Sequence, residues 1–545
     1  MSTETSIKGI LALPNEILLR VFSHVAREES ESDAFARTLA PAWAMSIPHV
    51  CSRWRTLALG STTLWTRVSP SFSTFWYDEF AERSMDTFLH ATVSLLDEEK
   101  LPDDELMTEM TSFSEEMEII LRPGRQAPED EDEEVDDDDD YLLYRLGDEA
   151  SKLHTLRITQ PKSGTQLDLP LPFPDDHSSL RNLTISCPCL GDLRWAFDLF
   201  ENLTSLTIHA VMSYSVLRAV CRTATKLEQL TYGSPLSRDA GFHITAPYKR
   251  DENPLIMSSL RELTIKSFAQ PESENFLGNL ELPVLERLYL RFRFTDDKGI
   301  RQTFQDLKPL FRPWARPKHV EFLVHQEKEV ALLLGPSPVD IPNAIIVIES
   351  AGLAEDTSSL LLRLYPLIAL DSVRTLGLAD ASSPEEMFKA SEWCSLLKPF
   401  TAVEDLWCMQ PTHQELHKFE LFRALWPGQQ WEPYALTSGD ATEDLLLPAL
   451  RKISFTRRPI RFAGFREPGA VAVFEEWPAS RNEPHSYELL RLANTVGRLD
   501  DRRRAVEYVF EDVEGMEEKV VEMLNREGGR DVRMVGSHIV SKKEA

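Results

Sequence analysis

His413-Gln414-Glu415-Leu416-His417 sets two imidazoles one helical turn apart, a spacing that can chelate a metal ion. A zinc-protease base would have to follow the first histidine directly. Here Glu415 stands one place late, so the pair reads as two histidines on a solvated face. Cys187-Pro188-Cys189 has no second cysteine pair to complete a tetrahedral site, and both thiols fall at the end of an apolar stretch as small buried or half-buried side chains. The sequence contains no glycine-rich phosphate loop, no Gly-x-Ser-x-Gly nucleophile turn and no cluster of metal-ligating residues. With 88 acidic residues, carboxylates near one another in sequence arise by chance and carry no signal for acid–base chemistry. The expectation is a protein that binds rather than catalyses, with no cofactor and no metal.

The formal net charge of -29 weighs against nucleic acid as a partner, because phosphate recognition needs a cationic face. Much of that charge lies in one acidic run, Glu129 to Asp140, interrupted only by Val135, and the rest of the chain is acidic too. The N-terminal residues lack the basic start and apolar stretch of a signal peptide. The apolar segments around Leu332 and Leu361 are broken by Pro336 and Arg363 before reaching membrane-spanning length, so no membrane partner is expected. Six irregularly spaced cysteines suit a reducing compartment, and the expected location is cytoplasmic, nuclear or both. Asn182-Leu183-Thr184 and Asn202-Leu203-Thr204 match the glycosylation sequon by chance on this reading.

Helical elements must carry any binding function near the N-terminus. Leu13-Pro14-Asn15-Glu16 reads as a helix start, with proline at a position that needs no amide hydrogen and an acid at the positive helix end. Ile17, Leu18, Val21, Phe22 and Val25 then fall on one apolar face, with Arg20 and His24 outside it. A second helix is expected from about Met45 to Leu59, its start moved towards His49 by Pro48, with Val50, Cys51, Trp54, Leu57 and Ala58 on a shared face. Gly60 ends it, and Leu64-Trp65 supply two large apolar side chains to a short third element. So few residues cannot bury that much apolar surface among themselves, and a partner surface is expected.

Leu13-Pro14-Asn15-Glu16-Ile17-Leu18-Leu19-Arg20-Val21-Phe22, then Val50-Cys51-Ser52-Arg53-Trp54-Arg55, then Leu64-Trp65, in this order, resemble an F-box. The resemblance is closest to the F-box-like proteins abundant in mushroom-forming fungi, which carry a longer linker between the first two helices, as Ala26 to Ala44 does here. Ser52, where a basic residue is frequent, and Pro48 depart from the commonest pattern. The resemblance implies that this segment docks onto the Skp adaptor and through it a cullin scaffold. Carried over by motif position, the adaptor contacts are Leu13, Pro14, Ile17, Leu18, Phe22, Val50, Cys51 and Trp54, of which Trp54 could equally hold the helices together, as could Trp65. It also implies that a recognition domain for an unknown target protein follows.

The fold class expected is α followed by α/β: a three-helix F-box over 1–70, a helical linker over 71–127, an acidic disordered loop over 128–140, an irregular leucine-rich-repeat-like solenoid over 141–480 and a strand-helix cap over 481–545. The linker reading rests on Phe80, Met85, Phe88, Leu89 and Leu95, and the loop reading on charge repulsion. The solenoid rests on a recurring triplet: Leu153-Leu156-Ile158, Leu180-Leu183-Ile185, Leu203-Leu206-Ile208, Leu260-Leu263-Ile265, Leu285-Leu288-Leu290, Val373-Leu376-Leu378 and Leu450-Ile453-Phe455, with weaker copies from Leu227, Val320 and Val403. Several intervals fall near the roughly 20–29-residue leucine-rich-repeat range, although no copy has the usual Asn or Cys of the ladder position. One strand per copy would send alternate residues to the core and the others to an open face. Thr207, Thr264, Tyr289 and Gly377 are the expected target-binding positions on that face, with loops near Pro336 and Pro411 beside them. The function expected is that of substrate adaptor of a ubiquitin ligase; the alternative is an F-box scaffold acting with the Skp adaptor outside ubiquitin transfer.

Overall fold

A computed structural model of the chain describes residues 10–94, 110–121, 152–160, 179–189, 200–233, 254–268, 277–294, 307–325, 329–337, 342–350, 357–380, 390–409, 447–456, 507–511 and 532–535, apart from 11, 31–37, 70, 86, 88, 111, 213, 278, 308–309, 312–313 and 315. The acidic run, His413 and His417, the loop at Pro411 and, apart from 507–511 and 532–535, the strand-helix cap expected over 481–545 lie outside the described residues. Contacts divide the chain into two compact units, Met1–Pro247 with Leu255–Glu262 and Leu282–Val284, and Tyr248–Pro254 with Leu263–Glu281 and Leu285–Ala545.

The first unit begins with helices α1 (Asn15–Ser30), α2 (Ala42–Val50) and α3 (Ser52–Leu59) and a 3-10 turn over Thr62–Leu64. The single helix expected from Met45 to Leu59 is two. Pro48 lies inside α2 rather than before it, where its missing N–H leaves the Ala44 carbonyl without its helical donor. Cys51, extended at φ -161°, then breaks the path, and its carbonyl accepts from the Arg55 amide at 2.9 Å to open α3. The start of α2 has no side-chain cap of its own, since Pro41 precedes it. Glu29, from the last turn of α1, supplies one instead, accepting from the Ala42 amide at 2.5 Å and the Trp43 amide at 2.9 Å.

Behind these helices lie β1 (Arg67–Val68) and α4 (Thr74–Ser84). Trp43, Trp65, Phe72 and Phe80 meet edge-on or tilted with ring centroids 5.0 to 5.9 Å apart, and the Trp65 Nε1 donates to the Ala58 carbonyl at 2.8 Å. Trp65 is thus a core residue of the helices. The helical linker expected over 71–127 is only partly helical: α4 ends at Met85, whose φ is 53°, and strands β2 (Leu89–Ser94) and β3 (Ser114–Ile120) follow. Leu89, Ala91 and Val93 are buried in alternation with half-buried His90 and Thr92, a period of two that suits a strand.

From there β4 (Thr155–Thr159), β5 (Asn182–Cys189), β6 (Ser205–Val211) and β7 (Gln229–Gly233) extend the sheet, with α5 (Tyr214–Thr223) between the last two. Strands β1 to β7 lie side by side in chain order, all parallel. Two rows of side chains run across it in register: Ala91, Met117, Leu156, Leu183, Leu206 and Leu230, then Val93, Ile119, Ile158, Ile185, Ile208 and Tyr232, all buried. The first residues of the triplets, Leu153, Leu180, Leu203 and Leu227, are buried just before their strands. The register is fixed at each strand start by one carbonyl accepting two successive amides of the next strand, as His154 does from Arg181 and Asn182, and Arg181 from Thr204 and Ser205. The two-residue strand β8 (Leu255–Ile256) also belongs to this unit.

The second unit holds β9 (Glu262–Phe268) from Leu263 onward, β10 (Leu280–Glu281), β11 (Arg287–Phe294), β12 (His319–His325), β13 (Glu329–Gly335), β14 (Ala344–Ser350), α6 (Thr357–Leu364), β15 (Thr375–Asp380), α7 (Ala390–Leu397), β16 (Asp405–Met409), β17 (Lys452–Thr456), β18 (Glu507–Glu511) and β19 (Val532–Val535). In space β11 is followed by β14, β13, β12, β15, β16, β17, β18 and β19, parallel throughout except for β13. The long interval after Val320 is therefore filled by a meander that inserts β13 and β14 between β11 and β12. Ala331-Leu332-Leu333-Leu334 and Ala344-Ile345-Ile346-Val347-Ile348 are buried at every position, the signature of strands covered on both faces. Phe322, Tyr365 and Phe400 pack together with centroids 5.5 to 6.1 Å apart, and burial pushes the Tyr365 hydroxyl up while it donates to the Leu396 carbonyl at 2.6 Å. The region beyond the helices is thus a large mixed α/β structure built on parallel sheet.

Candidate docking face on the N-terminal helices

The apolar residues of α1 do not share one face; they form two adjacent stripes, each with a period of four. Leu18, Phe22 and Ala26 point inward, and Leu18 and Phe22 are 0 and 1% exposed. Ile17, Val21 and Val25 are 40, 41 and 40% exposed. A hundred degrees of helix separates the stripes, so one seals the helices while the other meets solvent. The expectation that Leu18 and Phe22 meet a partner is corrected: both side chains are spent on the chain's own core, where Phe22 stands edge-on to Trp54 at 4.8 Å. Val21 and Val25 take their place as candidates. Their spacing to Ile17 marked them in the sequence, but nothing there said which stripe would be buried.

Arg53 gathers the rest of the face. Its Nη2 donates to the Leu13 carbonyl and to Asn15 Oδ1, both at 2.6 Å, and its Nε donates to the same Asn15 oxygen at 3.0 Å. This clamp ties the start of α3 to the start of α1. Ile17 is one turn on, its amide donating to the Pro14 carbonyl at 3.1 Å. Pro14 and Val50 are exposed, and Leu13, Cys51 and Trp54 are half-buried. The Trp54 Nε1 is buried with no hydrogen-bond partner among the described residues, and its ring spans the inner stripe and the surface. Arg53 was legible as polar and off the apolar face; its clamping role depends on the break at Cys51.

Of the positions expected to bind a target, Thr207 is half-buried on the non-core face of β6, in register between Thr184 and Thr231, and Thr264 and Tyr289 are half-buried on β9 and β11. Gly377 offers nothing to a partner. It is buried, and a Cβ there would stand 2.9 Å from the Glu321 Cγ, because the Glu321 side chain lies across the glycine from the paired position of β12. The open face expected along the strands is closed at this point: Glu321, Trp407 and Leu333 are all buried on the side of the sheet away from Val320 and Phe322. Cys187 is buried and forms no disulfide. Among the described residues no group of three metal-ligating side chains could hold a metal ion, and no helix is long and apolar enough to cross a membrane.

Three comparisons bear on this geometry. A model of the F-box-like family matches residues 10–71, the span of the two stripes, the Arg53 clamp, and Trp43 and Trp65 of the aromatic core. No curated protein matches the chain. Among solved structures, a TLR13–ssRNA13 complex is similar with a TM-score of 0.27 and 11% identity, over 66% of this chain and 45% of that one, so the chain spans less than half of its length. An overlap that low decides neither shape nor ligand. F-box domains generally bind the Skp adaptor, and residues 10–71 of this chain are an F-box-like domain.

Proposed function

We propose that this chain is the substrate-recognition adaptor of an SCF-type ubiquitin ligase, acting by binding rather than by catalysis. The F-box-like domain docks the Skp adaptor, which brings a cullin scaffold, and the strands beyond form an irregular leucine-rich-repeat-like solenoid that holds a target protein. The single observation that carries the reading is the exposed Ile17-Val21-Val25 stripe beside the Arg53-clamped Leu13-Pro14 within the matched domain. Three aliphatic side chains aligned along one helix face resemble a surface made for a partner's apolar groove. The in-register triplets support the solenoid, and the location proposed is cytoplasmic or nuclear, in keeping with Cys51, Cys187, Cys221 and Cys394 forming no disulfide. Kinship with the fungal F-box-like group is the narrower form of the same reading.

Affinity purification of the full chain from cells tests this. The expected result is recovery of the Skp adaptor and a cullin, with both lost together when Leu13 and Pro14 are replaced by alanine. Recovery of the Skp adaptor without any cullin would replace the ligase reading by that of an F-box scaffold.

A further inference from the structure

The family match ends at residue 71, but the packing of the matched helices does not. Their last residues include Arg67 and Val68 of strand β1, which pair in register with His90 and Ala91 of β2. Only Trp65 and Thr66 separate the turn over Thr62–Leu64 from that strand, and both are buried, so there is no exposed segment at which the chain could bend. Val68 opens a row of buried side chains that continues through Ala91, Met117 and Leu156. The core row of the sheet thus starts inside the matched domain. The helices in turn draw on residues beyond the match. Phe80 of α4 is fully buried and stands edge-on to Trp43 of α2 and to Trp65, with centroids 5.9 and 5.0 Å away, and Phe72 lies 5.5 Å from it. The Ser73 amide ahead of α4 donates to the Leu39 carbonyl ahead of α2 at 3.0 Å. At the far end of α1, the Arg67 Nη1 donates to Ser30 Oγ at 2.9 Å, while the Thr66 carbonyl accepts from the His90 amide at 2.7 Å. Melting α4 and β1 would strip Trp43 and Trp65 of their aromatic neighbours, and melting the helices would expose Phe80, so neither set is stable in its native form without the other.

We propose that the helices of the docking face and strands β1 to β4 open and close as one cooperative body with no hinge between them, so that a target on the strands is held at a fixed orientation to an adaptor on the helices. The orientation rests on the adaptor and target roles proposed above; the cooperativity does not. Native-state hydrogen exchange on the purified full chain, without any partner, tests the cooperativity first. As urea is raised below the unfolding midpoint, the amides of Phe22 and Ala26 on α1 and of Met117 and Leu156 on the strands should converge on one opening equilibrium with one urea dependence. Ile119→Val is a mild change on β3, remote from the helices in sequence, and it should speed exchange at all four amides by the same factor, about two- to tenfold. Helix amides that open more readily, with a smaller urea dependence and no response to Ile119→Val, overturn the proposal. The Skp adaptor is then added at a hundred times its Kd. Exchange should slow about a hundredfold at Phe22 and at Leu156 alike. Slowing confined to α1 also overturns the single body, whereas slowing at neither amide removes adaptor docking and leaves the partner-free result to decide the cooperativity.

Discussion

Replacing Gly377 by alanine adds one methyl group where the structure has no room for it. The new Cβ would lie 2.9 Å from the Glu321 Cγ, 3.2 Å from its Cβ and 3.4 Å from its Cδ. Relief cannot come cheaply. Glu321 is 6% exposed, one carboxylate oxygen lies 3.5 Å from the His319 Nε2, and the other has no hydrogen-bond partner among the described residues, so the side chain has no solvated position to retreat to. Overpacking of this kind costs about 1–3 kcal/mol. For a unit of this size that corresponds to roughly 2–4 °C in Tm for each kcal/mol. The assay is urea unfolding followed by tryptophan fluorescence, to which Trp407, paired with Gly377 in the next strand, contributes as one of eleven tryptophans. The decisive arm is the pair Gly377→Ala with Glu321→Ala: once the carboxylate side chain is gone, the added methyl should cost little, so the two changes are strongly non-additive. An unchanged midpoint for Gly377→Ala alone, or a loss of the same size in the Glu321→Ala background, would refute the claim that Glu321 lies across the glycine.

Glu29→Ala removes the acceptor for the Ala42 and Trp43 amides and should cost about 0.5–2 kcal/mol, with faster hydrogen exchange at those two amides; unchanged exchange there means that Glu29 is not the cap. Thiol labelling should discriminate between cysteines: Cys221 is buried and its thiol is pushed up to about 12 by that burial, so a maleimide at neutral pH leaves it untouched, whereas half-buried Cys51 reacts. Adding the Skp adaptor should protect Cys51, and labelling of Cys51 at the same rate in the complex would remove it from the docking face.

Much of this was legible in the sequence where one residue pattern implies one structure. The triplets place an apolar residue at every second position of a strand, and in register they become the buried rows of both units, as Leu156-Leu183-Leu206 and Val320-Leu376-Leu406 show. The strands β2 and β3 were missed because the cue is short: Leu89-x-Ala91-x-Val93 and Met117-x-Ile119 alternate for only a few residues, and the aromatics before them suggested a helix. Other features depend on tertiary contacts. The two stripes of α1 are equally apolar, and only the packing of Trp54 against Phe22 decides which is inside. Pro48 signals a helix start by itself, yet the surrounding buried Trp43, Ala44 and Ile47 hold it within α2. Gly377 read as a target-binding position on an open face, whereas its reason is the side chain of Glu321, which comes from a strand more than fifty residues earlier in the chain.

Direct titration of the purified Skp adaptor into the full chain tests the central claim most closely. Ile17→Ala, Val21→Ala and Val25→Ala together remove about 1 kcal/mol of apolar contact each, so the combined variant should bind roughly a hundredfold more weakly while its melting curve stays in place, since none of the three is a core residue. Undiminished affinity in the triple variant, with the fold intact, would contradict the assignment of this stripe as the docking face.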